Sequence, residues 1–499
     1  MAEGVYAYFA EHQESADLGR MALRGGIVSV AMQYGNGILQ ILAAIVLARL
    51  LTPGDFGLVA IVTVLTSFAP LLIDFGLGDA TTQRKKITPS QVSSLFWLSS
   101  GVGLAVAIAL AAASPLIAAV YRQPELEPIA LCTSITFVLW GLSNQHLALL
   151  RRTMQFGRIA RIQLLGSLVG IATAIVLAMA GWGYWALVAR PIANAAWVVV
   201  AAWLACRWRP GPPAFDGEAK SMVRFGLHVV GFSVTYTVAK AVDRIGLGLF
   251  YRPDQVGYYQ NATTLYESSI FQALAQVHTV GSAALSKLQA NVAALRQKYA
   301  SALSALAFFL MPAAAILSVT GEDVTVILLG EKWRPAGSLL RIIALRGIPQ
   351  VIEGSQGWLH LSIGRADRWR NWGVVSLVVQ ILAVLAGLPF GTTGVAVACV
   401  VASALIAIPS VSYAGRPISV GSAVTLRAVG PQLVGAIAAV ASGTWLQTTF
   451  LGQCSSLVRI VASASVCACV YLAVVVGLFR LTEPMRVARS VVQDRLRNR

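Results

Sequence analysis

The chain has 499 residues, of which 57% are hydrophobic and 12% charged, with a formal charge of +17. Soluble domains carry about 25% charged residues, so this balance excludes a soluble globular protein and points to a membrane protein with many spans. The basic excess does not imply nucleic acid, because Lys and Arg fall in short clusters between apolar runs rather than in a patch with interleaved aromatics.

Residues 1–23 form a polar N-terminal tail with Glu3, Glu11, Glu14 and Asp17. A signal peptide would begin with basic residues and a short apolar core, so the tail is expected in the cytoplasm. Fourteen apolar stretches follow, at 25–50, 56–78, 91–113, 128–150, 160–181, 183–205, 222–250, 258–280, 300–319, 337–362, 371–389, 393–414, 428–447 and 457–480. Most reach the roughly 20 residues that a bilayer crossing needs. The connections Gly181-Trp182-Gly183 and Gly391-Thr392-Thr393-Gly394 are short enough to predict antiparallel hairpins.

Residues 206–221 hold Pro210, Pro212 and Pro213, which cannot sit together inside a helix, and read as a cytoplasmic linker. A gapless repeat spans it. Arg24, Gly26, Pro53 and Gly57 recur as Arg224, Gly226, Pro253 and Gly257. Matched helix, turn and helix in one register indicate a duplicated lobe.

The expected fold is therefore an all-α membrane protein of about fourteen transmembrane helices. Two pseudo-symmetric six-helix lobes occupy 24–205 and 222–415, and two further helices lie within 427–480. A basic amphipathic tail over 481–499 has Met485, Ala488, Val492 and Leu496 on one face, suited to anionic lipids of the inner leaflet.

Loop charge gives the orientation. One set of loops holds Arg84-Lys85-Lys86, Arg151, Arg152, Arg158, Arg161, Arg207, Arg209, Lys287, Arg365, Arg368, Arg370 and Arg416; the alternate loops hold little beyond Arg122, Arg252, Lys332 and Arg334. Both termini fall on the basic side, which is cytoplasmic, so the number of spans is even.

Charges within the apolar runs mark a pathway by default, since each costs roughly 2.5–3.5 kcal/mol on insertion scales. On this topology Arg49, Arg190, Lys240, Arg244 and Arg346 lie at similar depth in the outer half of the membrane, and Arg24 at the inner mouth. Such a layer suits a polyanionic head, because guanidinium forks match phosphate oxygens. Asp74, Asp243 and Glu353 are candidate coupling or tuning carboxylates. Other readings stay open: Lys240 and Asp243 as an internal ion pair, Arg49 snorkelling to the interface, Arg341 and Arg459 anchoring helix ends. Polar residues Gln33, Tyr34, Asn36 and Gln40, with Asn144, Gln145 and His146, either contact sugars or join helices. The six cysteines show no CxxC spacing, and no metal site or cofactor is expected.

Four stretches carry a family resemblance: Asp74-Phe-Gly-Leu-Gly-Asp-Ala-Thr-Thr-Gln-Arg84 before Phe96-Trp97; Asp243-Arg-Ile-Gly-Leu-Gly-Leu-Phe with Val256-Gly257-Tyr-Tyr259; Ala284-Leu-Ser-Lys-Leu-Gln289 before Lys298-Tyr299; and Leu329-Gly-Glu-Lys-Trp333 before Leu340-Arg341. With them the chain resembles the polysaccharide transporters, or Wzx-type flippases, of the multidrug/oligosaccharidyl-lipid/polysaccharide exporter superfamily, nearest the exopolysaccharide and colanic-acid subgroup. Arg190 falls outside the family pattern.

The resemblance implies a multi-pass protein of the bacterial inner membrane. It implies transfer of an undecaprenyl-diphosphate-linked oligosaccharide from the cytoplasmic to the periplasmic leaflet by alternating access, without enzymatic chemistry. Expected partners are that lipid-linked oligosaccharide, inner-membrane lipids, and the polymerase and export machinery of the same pathway. A drug or cation antiporter of the same superfamily is the alternative, but it would carry acidic rather than basic lobes. A membrane polymerase or glycosyltransferase would need a large outer loop with catalytic carboxylates. The longest outer loop, about 320–336, holds only Glu322, Asp323 and Glu331, which read as cap and turn residues.

Overall fold

The computed structural model describes residues 17–74, 77–84, 87–213, 237, 241–271, 285, 288–289 and 291–481. The linker beyond Pro213, the repeat residues Arg224 and Gly226, and the tail beyond Leu481 lie outside them. Every regular element among the described residues is a helix. Nine stretches of those residues are long and apolar enough to cross a membrane, and two of them, Pro53–Asp74 and Asp367–Ile418, each take in two α-helices.

Helix α1 (Asp17–Leu50) starts before the expected residue 25, because the pair Gly25-Gly26 does not interrupt it. Helix α2 (Pro53–Thr66) opens with a reciprocal cap: Asp55 N donates to Thr52 Oγ1 at 3.3 Å and Thr52 N to Asp55 Oδ2 at 2.9 Å. Pro53 stands at the first helical position, where a missing N–H costs nothing. Thr88, Pro89 and Gln91 repeat the device at the head of α5 (Pro89–Tyr121).

The expected second span does not run unbroken to residue 78. It stops after Thr66 and resumes as the short α3 (Ala69–Asp74) and α4 (Leu77–Gln83). Pro70 lacks the N–H that the Thr66 carbonyl would need to continue the ladder.

Helices α6 (Leu126–Arg152), α7 (Phe156–Met179) and α8 (Trp185–Ala205) follow. The turn between α7 and α8 uses left-handed backbone at Gly181 (φ 82°) and Gly183 (φ 54°), which glycine adopts without a Cβ clash. The two helices then pack side by side, as the short connection predicts.

Residues 241–250 form α9, and Pro253 opens α10 (Pro253–Tyr266), which passes into a π-turn over Glu267–Phe271. Helix α11 (Val292–Leu329) is 38 residues long, well beyond the expected 300–319. Asn291 caps it, accepting from Ala294 N at 3.0 Å.

The expected span 337–362 is three pieces: α12 (Arg334–Leu345), α13 (Gly347–Gly354) and α14 (Gln356–Ser362). Pro349 removes the donor for the Leu345 carbonyl at the first break. At the second, the buried Ser355 hydroxyl meets Tyr299 Oη at 2.7 Å. Helices α15 (Ala366–Gly387), α16 (Gly391–Gly415), α17 (Ser422–Thr449) and α18 (Ser456–Leu472) complete the chain.

By internal contacts the chain divides into two compact units, Met1–Gly257 and Tyr258–Arg499. In the first, α1 packs on α7, α5 on α6, and α6 on α8. In the second, α11 is the central rod, flanked by α12, α17 and α18. Trp333, Trp358, Tyr299 and Tyr471 are fully buried there.

Candidate functional site

In the first unit α1, α7 and α8 meet at a polar junction within apolar helices. Two α7 glycines let α8 approach: a Cβ on Gly170 would lie 2.6 Å from the Arg190 carbonyl oxygen, and one on Gly166 2.8 Å from Asn194 Oδ1. Half-buried Arg190 donates through Nη2 to Gln40 Oε1. The amide nitrogen of Gln40 donates in turn to Ser167 Oγ at 3.4 Å. Arg49 is exposed in the last turn of α1.

Asp243 and Arg244 are neighbours on α9. Asp243 is buried, accepts from the Arg244 backbone N–H at 2.8 Å, and stands 3.6 Å from Arg244 Nε. Lys240 and the side chain of Arg24 lie outside the described residues.

Asp74 ends α3. Its Oδ1 accepts from Gly78 N at 3.2 Å and Asn144 Nδ2 at 3.0 Å, tying the segment between α3 and α4 to α6. A second tie runs beside it: Thr81 Oγ1 donates to Gln145 Oε1 at 2.8 Å, and buried Arg152 donates to the carbonyls of Thr81 and Arg84. The neighbouring His146 is fully enclosed, stacked on Trp203 at 4.5 Å between ring centroids. These α6 residues join helices in the described structure.

The second unit has its own polar cluster, built where α12–α14 is broken. Arg346 sits at the first break. It lies within electrostatic reach of Tyr266 and Glu353. Glu353 Oε2 accepts from Ser403 Oγ on α16 at 3.0 Å, and Tyr266 Oη donates to Gln350 Oε1. The structure thus brings Arg346 and Glu353 together, and Asp243 with Arg244, whereas Arg190 and Asp74 each sit in a separate network. Tyr266, Gln350 and Ser403 escaped sequence reading: the only available signal was a polar residue on an apolar helix, and their partners lie 50 or 84 positions away.

Glu322 and Asp323, expected as cap and turn residues of a loop over 320–336, lie within α11, which runs on to Leu329, and Glu331 sits in the short turn that follows; all three are engaged by arginines. Arg334 bonds Glu322 at 2.7 Å and Glu331 at 2.6 Å, and Arg459 pairs with Asp323, which also accepts from Gln447 Nε2 at 3.4 Å. The Arg334 hydrogen bond holds the Glu331 carboxyl below its ordinary range. None of the three is set up as a free acid or base. Among the described residues no group of three or more His, Cys, Asp or Glu is placed to hold a metal ion.

A family model described as "Polysaccharide biosynthesis protein" matches residues 46–338. The chain is 24% identical over 366 residues to the lipopolysaccharide biosynthesis protein WzxC of Escherichia coli (strain K12), covering 72% of this chain and 73% of the relative. Its fold is similar to that of the lipid II flippase MurJ in an inward closed conformation, with a TM-score of 0.71 and 15% identity over 91% of this chain and 99% of the other. An inward-facing multidrug resistance MATE family transporter of the MOP superfamily shares it more distantly, with a TM-score of 0.54 and 16% identity over 79% and 98% of the two chains.

Proposed function

The chain belongs to the polysaccharide biosynthesis protein family, and from that premise we propose that it is a flippase for an undecaprenyl-diphosphate-linked oligosaccharide, moving it from the cytoplasmic to the periplasmic leaflet of the bacterial inner membrane. The protein is a multi-pass, all-helical membrane protein of a transporter family and not an enzyme. The finer reading has fourteen helices, six in each of two lobes with two more after them, and both termini in the cytoplasm.

The observation that carries it is a pair of arginines, Arg190 and Arg346, held among apolar helices of a fold shared with a lipid II flippase. Cations at such depth are costly, and a diphosphate is the ligand class that repays several of them at once. In this reading Arg24 receives the headgroup at the inner mouth. Arg49, Arg190, Lys240, Arg244 and Arg346 draw it outward, and Asp74, Asp243 and Glu353 tune or couple the cycle. The lobes rock, while the prenyl chain stays in lipid. Moving one charge across the membrane potential is worth about 2.3 kcal/mol per 100 mV, enough to drive such a step.

Drug or cation antiport is the second reading, favoured by the MATE-like fold. Proteoliposomes containing the purified chain separate the two: transfer of a lipid-linked oligosaccharide without drug efflux is expected, and efflux alone overturns the flippase. In cells, Lys240→Ala combined with Arg244→Ala is expected to stop polymer export at unchanged protein level. Export at the normal rate would remove both from the site.

A further inference from the structure

Several arginines among the described residues are matched by carboxylates, and others by backbone carbonyls, as Arg152 is by those of Thr81 and Arg84. Arg346 has Glu353 within electrostatic reach, Arg334 has Glu322 and Glu331, and Arg459 has Asp323. Arg190 is held by a side-chain amide. Among the described residues the side chain that accepts from its guanidinium is the neutral amide of Gln40.

The amide is itself oriented. Gln40 Nε2 donates to the buried Ser167 hydroxyl at 3.4 Å, which turns Oε1 toward Arg190. Asn194, one turn beyond Arg190 on the same face of α8, is a second neutral amide, with Oδ1 seated over Gly166. A guanidinium carries five N–H donors. Gln40 takes one, and the half-buried side chain keeps others reachable.

We propose that Gln40 is a positioning residue that holds the Arg190 fork with a neutral acceptor, so that the cation keeps its full charge for the diphosphate of a lipid-linked substrate. This rests on the lipid-diphosphate reading above. A glutamate at the same place has nearly the same shape, but would form an ion pair with Arg190 and compete with the substrate for it. The ion pair would also keep that glutamate ionised into mildly acidic pH. The charged groups on the three helices that meet there are few: Arg190 on α8, Arg158 and Arg161 at the start of α7, more than a turn from Ser167, and on α1 Arg49, beyond Gln40, with Asp17, Arg20 and Arg24 near the helix start.

The test measures binding of undecaprenyl diphosphate, with undecaprenyl monophosphate for comparison, to the purified full-length chain at pH 8 and pH 5. Gln40→Glu is expected to weaken diphosphate binding about tenfold or more at both pH values, the scale of one charge-assisted hydrogen bond, because the ion pair with Arg190 keeps the glutamate ionised at pH 5 as well. Gln40→Leu, which adds no charge, is expected to lose roughly threefold at both pH values, and carries the test if the glutamate protein is not recovered. Unchanged diphosphate binding in both variants, with binding lost in Arg346→Ala, overturns the assignment while leaving the flippase reading intact. Failure of the unmutated protein to bind undecaprenyl diphosphate overturns the underlying reading instead.

Discussion

At the scale of single residues, charge type was legible and charge partnership was not. Arg459 reads from the sequence as an anchor at a helix end. In the structure it reaches from α18 to Asp323 on α11, which is only 4% exposed and also takes a bond from Gln447 on α17. One carboxylate thereby fastens the last two helices to the central rod of the second unit. No local pattern could reveal it, because the partners stand 136 positions apart. Removing the arginine leaves a buried, unpaired carboxylate, a change that costs about 3–5 kcal/mol in buried pairs. The 23% exposure of the Arg459 side chain puts the expectation at the low end of that range. Arg459→Ala should therefore lower the thermal midpoint of the purified protein in detergent clearly, and Asp323→Asn added to it should recover part of the loss. Equal midpoints for Arg459→Ala and the unmutated chain would show that the pair does not hold α18 in place.

At the scale of elements, the hairpins followed from sequence because they are local; the caps are equally local, yet the expected spans began at 56 and 91, just inside them. Thr52-Pro53 and Thr88-Pro89 state their helix starts in adjacent residues. The breaks at Thr66 and Arg346 follow from Pro70 and Pro349 in retrospect, but proline inside a membrane helix often only bends it, as at Pro115 and Pro312. The repeat in register at Pro53/Gly57 and Pro253/Gly257 gains a spatial meaning. A Cβ built on Gly57 would fall on the Pro253 carbonyl, and one on Gly257 on the Pro53 carbonyl, 3.1 Å from Gly57 N. The first turns of α2 and α10 thus clasp each other backbone to backbone, each glycine under the other's proline. Gly248 adds a third close point against Tyr121 and Ile61. Any side chain at Gly57 must part these turns. In a background without the native cysteines, Val256→Cys is fully buried beside the clasp and should resist a membrane-impermeant maleimide. Adding Gly57→Val should make it react. Labelling that stays equally low would mean that the turns accommodate a side chain without separating.

At the scale of the whole molecule, composition alone established the class, since a chain with 12% charged residues has to keep most of its surface in lipid. The alternation of charge makes a stronger statement, about sides. The described connections at 151–158, 206–213 and 363–370 carry clustered arginines, and those at 180–184, 388–391 and 450–455 carry none. A bilayer translates that difference into orientation, because clusters of Lys and Arg near helix ends stay on the cytoplasmic side. The candidate site was less legible for a related reason. Depth can be counted along each helix, but which helices adjoin depends on packing between residues far apart, as the three-helix junction of Gln40, Ser167 and Arg190 illustrates. Orientation is testable independently of that packing. Reporter domains fused after Arg152, Arg209 and Arg416 should report the cytoplasm, as should one at the C-terminus. Fusions after Gly181, Gly330, Gly391 and Gly452 should report the opposite side. If a single connection reported the wrong side, one span would be lost or gained on each side of it, and the two termini would stay on one face. If the C-terminal fusion alone did so, the number of spans would be odd and the termini would fall on opposite faces, against the even count that the loop charges require.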